Sequence, residues 1–554
     1  MLIARRSLLA AASLTATLPR AAWAQALSPG LFTHGVASGD PLPDGVVLWT
    51  RFVGGEGRIA WEVAEDEAFA RVAQRGEARA SVVSNYCAKV DVRGLSPGRP
   101  YFYRFLSGSG PSFTGRTRTA PARGGDALGI ALFSCSNLPY GYFHAYGHAA
   151  AREDIDLVLH CGDYIYEVPR GVYPGYSEAV PGRSIEPSNE IVSLDDYYQR
   201  YAAYHTDPDL LELRRVKPMS MVWDDHELVN NTWRDGAQDH QYPSEGDFHA
   251  RMASAAKAYF DWMPIRRPDA SSLRVYRSLD WGDLARIVLI DTRLIGRDEQ
   301  IDYRTTLAAR LTQGGVDAAA AAAAFRAGIL DDPRRTMMGA EQERWFAETL
   351  AESKRRGQPW QIVTQQVVMG DVAAPADIAR LIPDDMSAGA KQFFLLGAQM
   401  NRLGLPWNLD SWGGYPAARA RFLEACAANA NNAIVLGGDS HNCWLNNLAA
   451  ASGNRLAAIE FAGGSVTSPG FERTLSHAGA GERETAMRGA NPQLAFCDLT
   501  CRGYGALRFT RAACDAEWIA FPDVRNPLPG TPTVTRMRAA ASASAGPRPW
   551  AIAS

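Results

Sequence analysis

Two rhythms of apolar and polar positions divide this chain. Between residues 27 and 120 the apolar side chains come in short runs rich in β-branched and aromatic residues, "GVVLWTR", "RIAWEV" and "YFYRF", separated by turn chemistry such as "RGLSPGRP". In "YFYRF", Tyr101, Tyr103 and Phe105 fall on one face and Phe102 and Arg104 on the other, the alternation of a half-buried strand. About 90 residues of such strands predict a small β-sandwich of immunoglobulin or fibronectin type. After the polar stretch "GRTRTAPARGGD" the rhythm changes. Continuous apolar runs now stop abruptly in polar clusters: "IALFSCSN", "LVLHCGDYIYE", "MSMVWDDHE", "ARIVLIDTR", "WQIVTQQVV" and "AIVLGGDSH". Helical periodicity lies between several of them, as in "EQERWFAETLAESKRR" and "YPAARARFLEACAANA". Strands alternating with helices predict an α/β layered domain over residues 126–525, whose ligands bind beyond the strand ends. "DAAAAAAAFR" favours a surface helix by propensity. Residues 526–554, with "AAASASAGPRP", carry no evident period and are expected to form a loosely packed low-complexity tail.

Composition narrows the class. With 554 residues, 46% of them apolar, the chain can bury the cores of two domains. A net charge of −3 supplies no polybasic field, which sets aside sequence-specific nucleic-acid binding and a membrane-surface role. No apolar run beyond the N-terminus is long enough to span a membrane. Residues 1–25 differ from the rest. Arg5-Arg6 precede an Ala/Leu-rich run that ends in Ala22-Trp23-Ala24, a small-residue cleavage pattern. This predicts an export signal of twin-arginine type, and with it a periplasmic or secreted protein. An ordinary secretory signal with two early arginines is the alternative. Eight cysteines in so long a chain do not make a disulfide framework.

The strand ends together present Cys135, Asp163 with Tyr166, Asp224-Asp225-His226-Glu227, and Asp439-x-His441. Thiolate, phenolate, carboxylate and imidazole are the usual ligands of transition metals. Any one cluster alone is more often a solvated loop or a structural turn. Clusters at successive strand ends of one layered fold converge on one cleft. Crowded carboxylates repel unless cations compensate, and a bridging Asp can serve two ions. Such a dinuclear centre clamps a phosphoryl oxygen and lowers the pKa of a bound water towards about 7. The expected reaction is therefore hydrolysis of a phosphate ester by a metal-bound hydroxide. Nothing resembles a Walker loop, so nucleotide-driven transfer is not indicated.

"GD-x-x-Y", "WDDHE" and "GGDSH" are similar to the dimetal metallophosphoesterase motifs. "FTHGVASGDPLPDGVVLWTR", with "FSCSN", "GDYIYE", "VWDDHE", "DSWGGYPAAR" and "GGDSH", resembles the PhoD alkaline phosphatase family, and "FAGGSVTSP" and "CDLTCRGYG" carry the likeness to about residue 505. The resemblance implies a metallophosphoesterase domain holding Fe³⁺ with one or two Ca²⁺. It implies Cys135, Tyr166 and His441 as iron ligands and Asp163 as the bridge. Asp225 and Asp439 are expected metal ligands whose division between the ions stays open, and Asn231 is expected on the calcium side. His226 is then expected to contact the phosphate or protonate the leaving group, with a ligand-orienting histidine as the alternative. Arg234 is expected to clamp a phosphate oxygen as a fork donor. Trp407 and Trp412 are candidates either for an apolar wall or for core packing. Two departures from the family pattern stand out: Gln493, Cys497 and Cys501 in "NPQLAFCDLTCRGYG", and the lack of a counterpart to the family's C-terminal lid helix.

The chain thus reads as an exported phosphatase or phosphodiesterase, monomeric and suited to phosphate scavenging. Its expected substrates are small phosphate esters, phospholipid head groups, and teichoic-type or nucleic-acid phosphodiesters. Rival readings are a phospholipase D-like phosphodiesterase, a purple acid phosphatase lacking its Asp-x-His start, and a secreted binding module with structural metal ions.

Overall fold

The computed structural model describes residues 30–269, 271–308, 311, 315, 317–451, 455–542 and 546–552. The export signal expected over residues 1–25 lies outside them. Two large sheets form the body. One is parallel at its centre, where Leu157–His160 lies between Ala127–Phe133 and Met219–Met221. The other has a parallel centre of Ala285–Leu289, Trp360–Thr364, Asn432–Gly437 and Leu456–Ala462. Ile130, Leu132, Ile362, Ile434 and Phe461 share one buried core between the sheets. A second core, with Phe346, Leu350, Val363, Phe422 and Val435, packs helices Ala340–Arg355 and Pro416–Asn429 on the outer face of the second sheet. These near-continuous apolar runs are what strands covered on both faces require.

Helix ends follow the local sequence. Ser193 and Asp196 exchange bonds as a capping box at the start of Leu194–Tyr204, and Asp207 with Pro208 opens Pro208–Val216. The alanine run becomes the helix Ala318–Phe325, capped by Asp317. It is not purely a surface element, because Ala322 and Phe325 are buried. Among the described residues no helix is long and apolar enough to cross a membrane.

Parallel pairing decides where the chemistry lies. Phe133 stands beside His160 and His160 beside Met221, so the three following loops leave the sheet at one edge. In the facing sheet Gly437 pairs with Ala462, and the loops after them emerge at the same end. Val466 N donates to Ser134 O at 3.0 Å, joining the two sets.

The N-terminal strands form two layers around Val46, Leu48, Ile59, Trp61, Val63, Val92, Tyr101, Tyr103 and Phe105. The face assigned to Tyr101, Tyr103 and Phe105 is the buried one. One layer is not separate from the rest of the protein. Val36–Leu42, Gly45–Arg51 and Cys87–Arg93 extend the first large sheet through the partnership of Gly39 with Met219. Glycine is required at that junction, since a Cβ on Gly39 would come within 2.2 Å of Pro264 O. The buried Asp40 beside it pairs with Arg277 at 2.7 Å and accepts from Ser220 at 2.9 Å.

The C-terminal tail corrects an expectation. Thr533–Ala540 pairs along its length with Ala513–Phe521, and Ala551–Ile552 adds to its far side. "TVTRMRAA" turns Met537 and Ala539 inward, whereas Arg536 and Arg538 meet Glu517 and Asp515 at 3.0 and 2.7 Å. Buried Trp550 donates to Glu460 O at 2.9 Å. A period of two was present in "TVTRMRAA", just ahead of the Ala/Ser-rich stretch, and it specified a strand.

Candidate metal centre

The site is assembled by backbone that bends sharply after each strand. Cys135, Asp163, Asn231, Asp439 and His441 all adopt left-handed conformations, with φ of 59, 54, 52, 62 and 59°. Each non-glycine residue there costs about 1–3 kcal/mol, and such residues cluster where function over-determines the backbone. Neighbouring loops are laced together: Cys135 N donates to Gly162 O at 3.1 Å and Ser136 N to Asp163 O at 2.8 Å. Gly162, with φ of 105°, lets the loops touch, because a Cβ there would lie 2.3 Å from Asp224 N. The buried Glu227 carboxylate accepts from the backbone of Asp163, Tyr164 and Asp224 at 3.0, 2.6 and 2.7 Å. Sequence reasoning noted Glu227 only as part of a cluster; here it is the clamp between two ligand loops.

Three overlapping groups result. Cys135, Asp163 and His441 bring one donor atom each within 4.8 Å of one another, as do Asp163, Asp225 and His226, and Asp224, Asp225 and Asp439. Asp163 and Asp225 are each shared by two groups. The Tyr166 hydroxyl joins the first group, 3.2 Å from Asp163 Oδ2 and 3.2 Å from His441 Nε2, with Ser468 Oγ at 2.6 Å. His441 Nδ1 lies 2.8 Å from Pro469 O, which only accepts, so that nitrogen carries the proton and Nε2 turns its lone pair to the cluster. Tyr173, which the sequence did not single out, also reaches His441 Nδ1 at 3.2 Å. Asn231 donates its backbone N–H to Asp225 Oδ2 at 2.7 Å and its side-chain amide to Gln238 at 2.8 Å.

The donors are poised for cations. Asp163 Oδ1 and Asp224 Oδ2 are buried without a hydrogen-bond partner among the described residues. Buried polar atoms are rarely left so. Burial, reinforced by neighbouring carboxylates, pushes Asp163 and Asp439 well above the usual carboxylate range. Burial likewise raises the Cys135 thiol and the Tyr166 phenol. Burial carries Asp224 up to about 6 against the pull of Arg293. It would raise Asp225 as well, but Arg293 and His226 hold that carboxyl at about 2. A cation reverses the upward shifts by favouring the charged ligand. Sulfur, phenol and imidazole beside one carboxylate fit a transition-metal ion, and the oxygen-only group fits a hard cation.

The two predicted non-ligand residues fare differently. His226 lies in the centre. Burial would lower its pKa, yet Glu167, Asp163 and Asp225 lift it well above the ordinary value, and its Nδ1 is 2.6 Å from Glu167 Oε2. Arg234 is half-exposed and paired with Asp235 and Asp298, each at 2.9 Å. The arginine among the carboxylates is instead Arg293, fully buried, with Asp224, Asp410, Asp439 and Asp225 at 2.5, 2.9, 3.4 and 3.6 Å. Its signal was present as the final residue of "ARIVLIDTR", a cation closing an apolar strand. His160 and Cys161 pack inward: His160 Nε2 meets the Tyr146 hydroxyl at 2.9 Å and Cys161 lies under Leu436 O. Trp412 is a core residue whose ring lies tilted at 53° to that of Phe422, 5.2 Å between centroids, whereas Trp407 borders an open cavity.

Sequence profiles decide the family. Residues 130–518 match the PhoD-like phosphatase profile, and residues 17–121 match that of the PhoD-like phosphatase N-terminal domain. The chain belongs to the PhoD-like phosphatase family. It is 32% identical over 521 residues to alkaline phosphatase D of Bacillus subtilis, covering 90% of this chain and 78% of that protein. It also superposes on a solved PhoD structure with a TM-score of 0.74 at 28% identity, covering 94% of this chain and 92% of that one. PhoD-like proteins thus resemble it through both the N-terminal layers and the metal-centre domain.

Proposed function

We propose that this PhoD-like chain is an exported hydrolase of phosphate mono- and diesters that works with Fe³⁺ and Ca²⁺ in phosphate scavenging. The observation that carries the reading is buried Asp163, its Oδ1 unbonded, shared between Cys135 and His441 on one side and Asp225 and His226 on the other. Cys135, Tyr166, His441 and Asp163 would hold the iron, and Asp225, Asp439 and Asn231, joined by Asp224, the calcium. When bound, such ions polarise a phosphoryl oxygen and acidify a water near neutral pH.

The chain's own groups supply the rest. In hydrolysis a water oxygen bonds to phosphorus, the P–O bond to the alcohol breaks, and the leaving oxygen takes a proton. His226, kept protonated by Glu167, holds that proton within the centre. Glu227 keeps the Asp163 and Asp224 loops in register. Arg293 fixes the oxygen-rich group with a permanent charge. The Arg5-Arg6 segment supports export.

The deciding experiment measures iron and calcium in the purified protein, then nitrophenol release from mono- and diester substrates with and without a calcium chelator. Turnover of both esters, lost to the chelator and restored by calcium, is the expected result. Metal-loaded protein that releases no nitrophenol from either ester would sink the hydrolase reading and favour a binding module.

A further inference from the structure

Beyond the carboxylates the centre opens into a space of mixed lining, with aromatic rings on one side and polar groups such as Asn401, Asn408 and Ser411 elsewhere. A cavity of about 770 Å³ begins at Asp439 and Asn231 and is walled on one side by Phe394, Trp407, Trp444 and Phe471. The rings form one continuous surface: Trp407 and Phe471 have centroids 5.6 Å apart, Phe394 and Trp407 6.0 Å, and Trp444 and Phe471 6.1 Å. Phe394 and Phe471 are only half-buried and offer ring surface to the cavity. Close packing behind the wall needs Gly397, where a Cβ would fall 2.1 Å from Trp407 Cδ1.

This wall is tied to the ligand loop. Phe471 N donates to Asn442 Oδ1 at 3.0 Å, next to His441, and Trp444 Nε1 donates to Ser440 Oγ at 2.6 Å, between Asp439 and His441. The cationic lining is already committed. Arg419 holds Met369 O at 2.7 Å and Asp371 at 3.4 Å, and Arg326 holds Gly404 O at 2.7 Å and Asp331 at 3.1 Å. With its positive charges paired and its acids present, the cavity offers a second anion no attraction. Its volume falls in the range of about 300–1,000 Å³ typical of sites that enclose an organic ligand.

We propose that this cavity receives the alcohol half of the ester and selects an uncharged, ring-bearing group over a small polyol. The assignment rests on the hydrolase reading above, which puts the phosphorus at the Asp163 and Asp439 end. Aromatic faces prefer offset or edge contacts with another ring, and a polyol would forfeit that contact while desolvating its hydroxyls.

The metal-loaded protein would be titrated calorimetrically with 2-naphthol, which carries no phosphate. The values of kcat/KM would then be measured for 2-naphthyl phosphate and glycerol phosphate in the wild type, Phe471→Ala and Phe394→Ala. Naphthol should bind the wild type and bind each variant about tenfold more weakly, a difference of about 1.4 kcal/mol. The ratio of kcat/KM for the naphthyl over the glycerol ester should fall about tenfold, through KM rather than kcat. Phe471→Leu and Phe394→Leu, which keep apolar volume but remove the ring, replace any alanine variant that fails to fold. The proposal is overturned if naphthol does not bind the wild type, if folded variants bind it equally, or if both esters lose kcat/KM in step. Ring-dependent naphthol binding without turnover of either ester would fail the hydrolase reading, and with it the ester assignment, while leaving a ring-binding site.

Discussion

The two ends of the candidate metal centre differ in how charge is managed. At the Cys135 end a thiol, a phenol, an imidazole and one carboxylate gather, none with a permanent charge, and burial raises the thiol and the phenol while His441 stays neutral with its pKa lowered to about 3 by burial. At the Asp439 end four carboxylates, of Asp224, Asp225, Asp410 and Asp439, gather around the guanidinium of Arg293. The first end would become charged only if a cation displaced its protons. The second carries its own countercharge in Arg293, so its carboxylates are partly compensated without a bound cation. One protein thus uses two solutions to the same electrostatic problem, joined by the shared Asp163 and Asp225.

The largest expected effect comes from removing the joint. Asp163→Asn should lower kcat to below about one-thousandth, since several kcal/mol of transition-state stabilisation is withdrawn, and should release metal from both ends. Metal analysis beside turnover checks this; wild-type turnover would show that the two ends are independent. Arg293→Met attacks one end only. Breaking a buried ion network is expected to destabilise the chelated protein by about 3–5 kcal/mol, and calcium should restore the melting temperature by more than it shifts the wild type. Equal melting of variant and wild type in chelator would show that the carboxylates do not need the guanidinium. His226→Ala sits between the ends and sharpens the contrast least. A loss of about 100-fold in kcat is expected, with metal content retained. Metal loss in that variant would make His226 a ligand.

How much of this was legible in sequence varied from element to element. The apolar runs ending at Phe133, His160, Met221, Leu289, Thr364 and Gly437 all became buried strands, because a segment covered on both faces must be apolar throughout. Cys135, Asp163, Tyr166, Asp225, Asp439 and His441 stood out as candidates because their residue types are ligand types placed just past strand ends, and the fold brings them together. Arg293 and Glu227 were not, because their roles depend on partners scattered from Tyr164 to Asp439. Arg234 looked poised as a fork donor near the motif, and the fold pairs it with Asp235 and with Asp298 from a distant loop. The tail was undervalued because the alternating strand "TVTRMRAA" runs directly into the Ala/Ser-rich stretch that follows it.

By itself the amino-acid order determined which segments are strands, which donor types stand at their ends, and which face of "YFYRF" is buried. These are consequences of local period and of side-chain chemistry, which need no knowledge of neighbours. Only the tertiary structure decided that the N-terminal layers continue the large sheet through Gly39, that Arg293 rather than Arg234 meets the carboxylates, and that Trp407 borders a cavity while Trp412 fills a core. Contacts of that kind depend on which distant loops are brought to one edge. Parallel pairing and the packing of two sheets settle that edge, and no short stretch of residues encodes it.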